Sequence, residues 1–323
     1  MKKLTLSSDS KFILFIGLVY IMHFWHYIGF LAKETNPLYT LSIVLFEVII
    51  FALFGTCMSM SKGKTKNISK MLVFLLAITA CTMFWFDNTY GGSELYGIIA
   101  ALISVILVLK ERFVWLILPL WMVVVLISAN SLFLFFGLVF APLYYKVMKT
   151  KKYKNILFGL LAMESIGLLY YVCLDKAQLS WMKSISSANL IQLPILIIVT
   201  IPYLVFLVYL FKRVIKRSES KADKKLYFVL SLANVLVIPT LFMEQNYGLW
   251  MFSAIAYYLV LILVLLAKQD EMIEEELLIL VDQVKVMPAG VLLLVYPIAF
   301  GPLEWLAIGK AFKLFKLYYG LFM

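Results

Sequence analysis

The sequence predicts an all-α fold, a polytopic integral membrane bundle of about ten or eleven transmembrane helices, and three observations carry that expectation. Of 323 residues, 64% are hydrophobic and 15% charged, against about 45–50% and about 25% in a soluble domain. A fold of this length in water still exposes much of its surface, so the excess has no core to hide in. The apolar residues come in runs close to the roughly 20 that a helix needs to cross a bilayer. Between the runs lie short basic stretches, and 26 of the 29 basic residues are lysine.

The first run, from Phe12 to about Ala32, follows Lys2, Lys3 and Lys11 and carries His23, Trp25 and His26. It lacks a small-x-small cleavage site, so it reads as a retained span and not as a removed signal peptide. Further spans are expected at 39–61, 71–86, 95–109, 113–127, 131–145, 156–174, 190–211, 226–243 and 249–267. The fourth, fifth and sixth are short for a crossing. Pro194, Pro202, Pro239, Pro297 and Pro302 kink or end helices in this reading.

Residues 268–323 are less regular and form the C-terminal part of a single membrane domain, 1–323. Segment 268–287 begins acidic and becomes amphipathic, which suits a helix along the cytoplasmic interface or one turned back into the bundle. Its acids read as a solvated face, with a docking surface for a partner as the alternative. After Pro288 an apolar run leads to a tail in which Lys310, Lys313 and Lys316 share one helical face.

Orientation follows from the basic residues. Successive loops on one side carry three, four, two, five, seven and one of them, whereas the other side has Lys33, Lys176 and Lys183. Positive charge marks cytoplasmic loops, so the N-terminus is expected in the cytoplasm of a cell-membrane protein. The net charge of +11 is thereby assigned to the anionic inner face of the bilayer and not to nucleic acid. Lipid is the first partner implied, and a lipid-linked or glycan substrate the second.

No nucleotide-binding loop or soluble catalytic domain is recognisable, and no cofactor is implied. Cys57, Cys81 and Cys173 match no zinc or redox spacing and read as small hydrophobes, so no metal is expected. Ionisable groups at membrane depth are costly and mark function. They are His23, His26, Glu47, Glu164 and, near the end, Glu304. His23 and His26 are one turn apart on one face, and with Glu47 and Glu164 they fall in the outer half of the membrane. Imidazole titrates near working pH, so a histidine here suits a general base, with a carboxylate such as Glu47 to orient the ring. A second reading makes both histidines hydrogen-bonders at the interface or between helices. Asn130 and Asn234 read as interhelical hydrogen bonds or turn residues.

The first span ends His23-Phe-Trp-His26-Tyr-Ile-Gly-Phe30, and the second runs from Leu41 through Phe46-Glu47 to Gly55 before a lysine-rich loop. This opening resembles that of the multi-span membrane acyltransferases, among them sugar O-acetyltransferases and the pilin-acetylase (TraX-like) proteins. The resemblance covers about residues 11–70 and the span count. It implies a bundle of about ten helices in which a first-span histidine moves an acyl group from a cytoplasmic donor to an extracytoplasmic acceptor. Lys11 stands where the sugar acyltransferases carry arginine, and Trp25 precedes His26 where the TraX-like proteins have aspartate. Other classes share the architecture: an envelope polysaccharide polymerase or lipid-linked glycosyltransferase, a transporter or flippase, and a non-enzymatic membrane subunit.

Overall fold

Apolar runs ended by polar turns have one economical local solution, a helix that satisfies its own backbone. The computed structural model describes residues 9–18, 37–78, 94–174, 205–237 and 247–286, and among these there are helices and turns but no strand. The helices are α1 (9–18), α2 (Pro37–Met60), α3 (Gly63–Ile78), α4 (Glu94–Lys110), α5 (Ile117–Ile127), α6 (Ala129–Thr150), α7 (Lys154–Leu174), α8 (205–217), α9 (Lys221–Leu232), α10 (Tyr247–Ala267) and α11 (Glu271–Val286). Short 3-10 turns, Val114–Leu116 and Val235–Val237, precede α5 and follow α9. The expected segments 39–61, 95–109, 131–145, 156–174 and 249–267 each coincide with one helix.

The helix ends follow local chemistry. Pro37 opens α2, where its missing N–H has no partner to lose. The Ser220 hydroxyl accepts from the N–H groups of Ala222 and Asp223 at 3.1 and 3.2 Å and caps α9. Tight reversals end α4, α6 and α10, and there Glu111, Lys151 and Gln269 adopt φ of 55–58°, in the left-handed region that closes helices.

The α6 helix is the axis of the bundle and packs against α4, α5, α7, α9 and α10. In turn α4 touches α2 and α5, while α10 touches α2, α3 and α11. A Cβ on Gly97 would lie 2.1 Å from the Ser131 hydroxyl, so only glycine lets α4 and α6 approach this closely. The stretch Ser131–Thr150 of α6 is the one continuous apolar stretch among the described residues that meets the length and hydropathy needed to cross a membrane, and 78% of its 18 most apolar consecutive residues are buried inside the bundle. Val44–Met60 of α2, Val114–Ile127 across the 3-10 turn and α5, and Tyr257–Ala267 of α10 are shorter apolar stretches.

Two expected segments are not single α-helices. The 113–127 segment begins as a 3-10 turn. In 226–243 the α-helix stops at Leu232, turns at Ala233 and Asn234, and continues as the 3-10 turn Val235–Val237. Asn234 favours turns, and Pro239 has no N–H to offer the Val235 carbonyl. The Tyr257 and Tyr258 hydroxyls donate to the Leu230 and Ser231 carbonyls at 2.9 and 2.6 Å, which satisfies the backbone beside the break.

The turns expected on the basic side all meet at one end of the bundle. Lys268 Nζ donates to the Leu109 carbonyl at 2.9 Å and to Glu111 at 3.1 Å, and Lys146 also pairs with Glu111. Gln269 reaches the Met60 carbonyl, Thr65 bonds Glu274, and Lys149 pairs with Asp223. The Lys146 ammonium, hydrogen-bonded to Glu111, holds that carboxyl below its ordinary value against the pull of partial burial, with Lys268 adding to the effect.

The acidic stretch is the expected solvated face only in part: Glu271 and Glu275 are exposed. Asp270 and Glu276 are buried, and α11 folds back beneath the bundle. Glu276 receives both Arg213 and Arg217 from the end of α8, and Arg217 also pairs with the exposed Glu275. The cause is charge matching across 59 to 63 residues of sequence: a carboxylate that leaves water is stable only beside cations and hydrogen-bond donors. Glu276→Ala is therefore expected to lower stability by about 1–3 kcal/mol, whereas Glu275→Ala costs under about 1 kcal/mol as an exposed pair. Denaturation of the purified variants in detergent measures both, and equal losses would contradict the assignment.

Candidate functional site

The four residues singled out in the sequence separate into two groups. His23 and His26 lie outside the described residues, as do Glu304 and the 289–323 region. Glu47 and Glu164 are described, on α2 and α7, with the packing order α2–α4–α6–α7 running between them. No hydrogen bond joins the two carboxylates, so the structure does not bring them into one acid pair.

Glu47 sits on α2 about 20 Å from the basic end, counting from Met60 at about 1.5 Å per residue. Its Oε2 is buried with no hydrogen-bond partner among the described residues. On the same helix Leu41, Val44, Leu45 and Val48 are exposed, so the acid stands at the edge between an apolar outer face and the interior. Beside it, α1 rests on α2: Ile16 is buried, and a Cβ at Gly17 would meet the Phe51 ring at 3.6 Å.

Glu164 is 3% exposed, on the face of α7 that meets α5 and α6. The Trp121 indole N–H, fully buried on α5, donates to Oε2 at 3.0 Å, and Oε1 is buried without a partner among the described residues. Two glycines bracket it along α7. A Cβ on Gly159 would come within 2.9 Å of Leu118, and one on Gly167 within 2.9 Å of Leu132. These small residues let the backbones close on the acid and shut it between three helices. The Trp121 ring also tilts against Phe136 on α6, with ring centres 6.1 Å apart.

Asn234, at the break after α9, is buried, and neither its amide nitrogen nor its amide oxygen has a partner among the described residues. It is a turn residue, and the interhelical hydrogen bond considered for it is not made. Gly137 of α6 lies against it: a Cβ there would be 2.9 Å from the Ala233 carbonyl and 3.0 Å from the Asn234 side-chain oxygen.

Sequence reasoning passed over the best-satisfied buried acid. Asp270 accepts from Tyr145 at 2.8 Å, from Tyr227 at 2.8 and 2.9 Å, and from the Ile273 N–H at 3.1 Å. An aspartate directly before an amphipathic run is a helix-start signal, and that signal was present at Asp270. Trp121 was also missed, since an indole within an apolar run is indistinguishable from packing until its N–H acquires a partner. Among the described residues no three histidines, cysteines or acids gather as a metal-ligand set.

Compared with known proteins, the chain matches no protein family, no curated protein and no solved structure.

The Trp121–Glu164 bond separates acceptor from charge. Glu164→Gln keeps an oxygen for the indole and is expected to retain wild-type stability, whereas Glu164→Ala strands a buried N–H at a cost of about 1–3 kcal/mol. Thermal unfolding of the two variants reads the difference, and equal loss in both would show that the charge itself is required.

Proposed function

We propose that this chain is a polytopic integral membrane protein of the cell envelope, with its lysine-rich end in the cytoplasm. The observation that carries this reading is the outer surface of the bundle. Met122, Val123, Leu126 and Ile127 on α5, Phe158, Ile166, Leu169 and Tyr170 on α7, and Val205 and Val208 on α8 are all exposed, at 45–73%. Side chains of this kind on three helices form an apolar belt far beyond what a soluble monomer presents. Lipid solvates such a belt, and the charges collect at the end beyond it. Trp115, 60% exposed in the turn between α4 and α5, suits the aromatic layer at the bilayer surface.

Within that frame the proposed activity is acyl transfer to an extracytoplasmic glycan or lipid hydroxyl, with His26 as general base. Support comes from the register of α1 on α2. Glu47 is about 6 Å beyond Phe51, away from the basic end. If the expected first span continues as helix, His23 stands about 9 Å beyond Gly17 in the same direction. In height the Glu47 oxygen, without a partner among the described residues, then lies about 3 Å from His23 and about 7.5 Å from His26. In the reaction the acceptor oxygen attacks the acyl carbonyl carbon, its proton passes to the imidazole, and the donor group departs with the electron pair of the broken acyl bond. A carboxylate at Glu47 holds the ring and stabilises its charged form.

A transport reading draws on one specific observation, the interrupted α9 with the Asn234 amide that has no partner among the described residues. Broken helices near mid-membrane form the solute sites of many carriers.

The activity is tested by His26→Ala and Glu47→Gln in cells, followed by chemical analysis of acyl groups on surface glycans and lipids. The expected result is loss of one modification in His26→Ala and a fall of about 10²–10⁴-fold in its rate, a smaller fall in Glu47→Gln, and normal membrane levels of both proteins. An unchanged acylation profile in His26→Ala would end the catalytic role and leave transport as the stronger reading.

A further inference from the structure

The acids at the basic end are unevenly distributed among the bases. Glu111 is engaged by Lys146 and Lys268, Glu275 and Glu276 by the two arginines of α8, and Asp9 by Lys66 and Lys70. Asp270 is enclosed by tyrosines. One corner is left with almost no compensation. The end of α6, its turn and the start of α7 supply Lys149, Lys151, Lys152 and Lys154, and the start of α9 supplies Lys221, Lys224 and Lys225.

These two lysine sets are side by side, because α6 packs against α9 and Lys149 Nζ bonds Asp223 Oδ1 at 2.9 Å. All seven lysines are exposed, and apart from Lys149 none has an ion pair among the described residues. The only acids in the two stretches are Glu219 and Asp223. Seven like charges brought together by the fold repel one another, a cost that an anion removes.

The patch also borders the apolar belt. Phe158 lies one turn along α7 from Lys154, and Phe228 lies one turn along α9 from Lys224; they are 66% and 54% exposed. An occupant of this corner therefore meets cations at one end and an apolar wall at the other. That is the chemistry of an anionic lipid. The cations fall in two sets, on α6–α7 and on α9, joined by the Lys149–Asp223 bridge, so the best match carries two phosphates on one headgroup.

We propose that this corner is a binding site for a diphosphatidylglycerol-type lipid, one phosphate on the α6–α7 lysines and one on the α9 lysines, with the acyl chains along Phe158 and Phe228. The site rests on the membrane placement above but is independent of the histidines and of acyl transfer.

The experiment uses the full chain in neutral detergent and follows its unfolding temperature as diphosphatidylglycerol is added, with phosphatidylcholine and inorganic pyrophosphate as parallel probes. A saturable rise with diphosphatidylglycerol and none with phosphatidylcholine is expected. In K151Q/K152Q/K221Q/K224Q, which leaves the Lys149–Asp223 bridge in place, about a thousandfold more lipid is expected for the same rise. An equal response of the variant would overturn the proposal. So would an equal effect of phosphatidylcholine, or pyrophosphate reproducing the full shift, which would mark a soluble-anion site. If the quadruple variant does not fold, K152Q/K224Q is titrated instead, with about thirtyfold weakening expected and no weakening counting against the site.

Discussion

At the N-cap of α11 the Asp270 carboxylate receives two tyrosine hydroxyls and a backbone N–H, and the closed end of the bundle depends on that one group. Tyr145 comes from α6 and Tyr227 from α9, so a single side chain joins the axial helix, the interrupted helix and the helix folded beneath them. Each donor offsets part of what burying the charge costs. Once Asp270 is placed, α11 has a fixed starting point, and Glu274, Glu275 and Glu276 arrive opposite Thr65, Arg217 and Arg213. The end that carries nearly all the charge of the described residues is thus tied together by side chains drawn from five turns.

The remainder of the described bundle obeys the opposite constraint. Away from that end, polar groups are few and each has a definite setting. Ser104 returns its hydroxyl to the Ala100 carbonyl, Ser128 and Ser131 bond each other at the start of α6, and Trp121 serves Glu164. Glu47, one oxygen of Glu164 and the Asn234 amide stand out because they keep buried atoms without partners among the described residues. In an apolar surrounding such atoms are costly, and that cost is the physical reason to look for function at them. Glycine makes the same point from the packing side: Gly97 and Gly137 sit where α6 meets α4 and the α9 break, and a methyl group at either would collide.

Five of the eleven described helices were legible because their signals are local. Apolar runs of helical length ended by lysine, serine or glycine place α2, α4, α6, α7 and α10 within a few residues, and lysine counting grouped the turns that the structure gathers at one end. What escaped was non-local. The run Glu274-Glu275-Glu276 reads as a solvated face until Arg213 and Arg217, some sixty residues earlier, are brought to it. Trp121 and Glu164 are 43 residues apart, and nothing in either stretch announces the other. The break at Asn234 had its signals in Asn234 and Pro239, but a hydropathy window averages across a two-residue turn. Of the candidate site, the acids could be weighed by burial and partners, whereas the histidine pair lies outside the described residues.

The central claim is that this bundle is threaded through a membrane with its basic turns on the cytoplasmic side. Its most direct test is the accessibility of single cysteines, introduced into a chain lacking Cys57, Cys81 and Cys173, to a membrane-impermeant maleimide added to intact cells. Cysteines at Lys62, Arg112, Lys152, Ser220 and Gln269 are expected to stay unlabelled until the membrane is opened, while those at Asn88, Lys183 and Asn246 label at once. Labelling of both sets in intact cells, or of neither, would contradict the alternation on which the topology rests. Recovery of the unlabelled chain in the soluble fraction would contradict membrane insertion altogether.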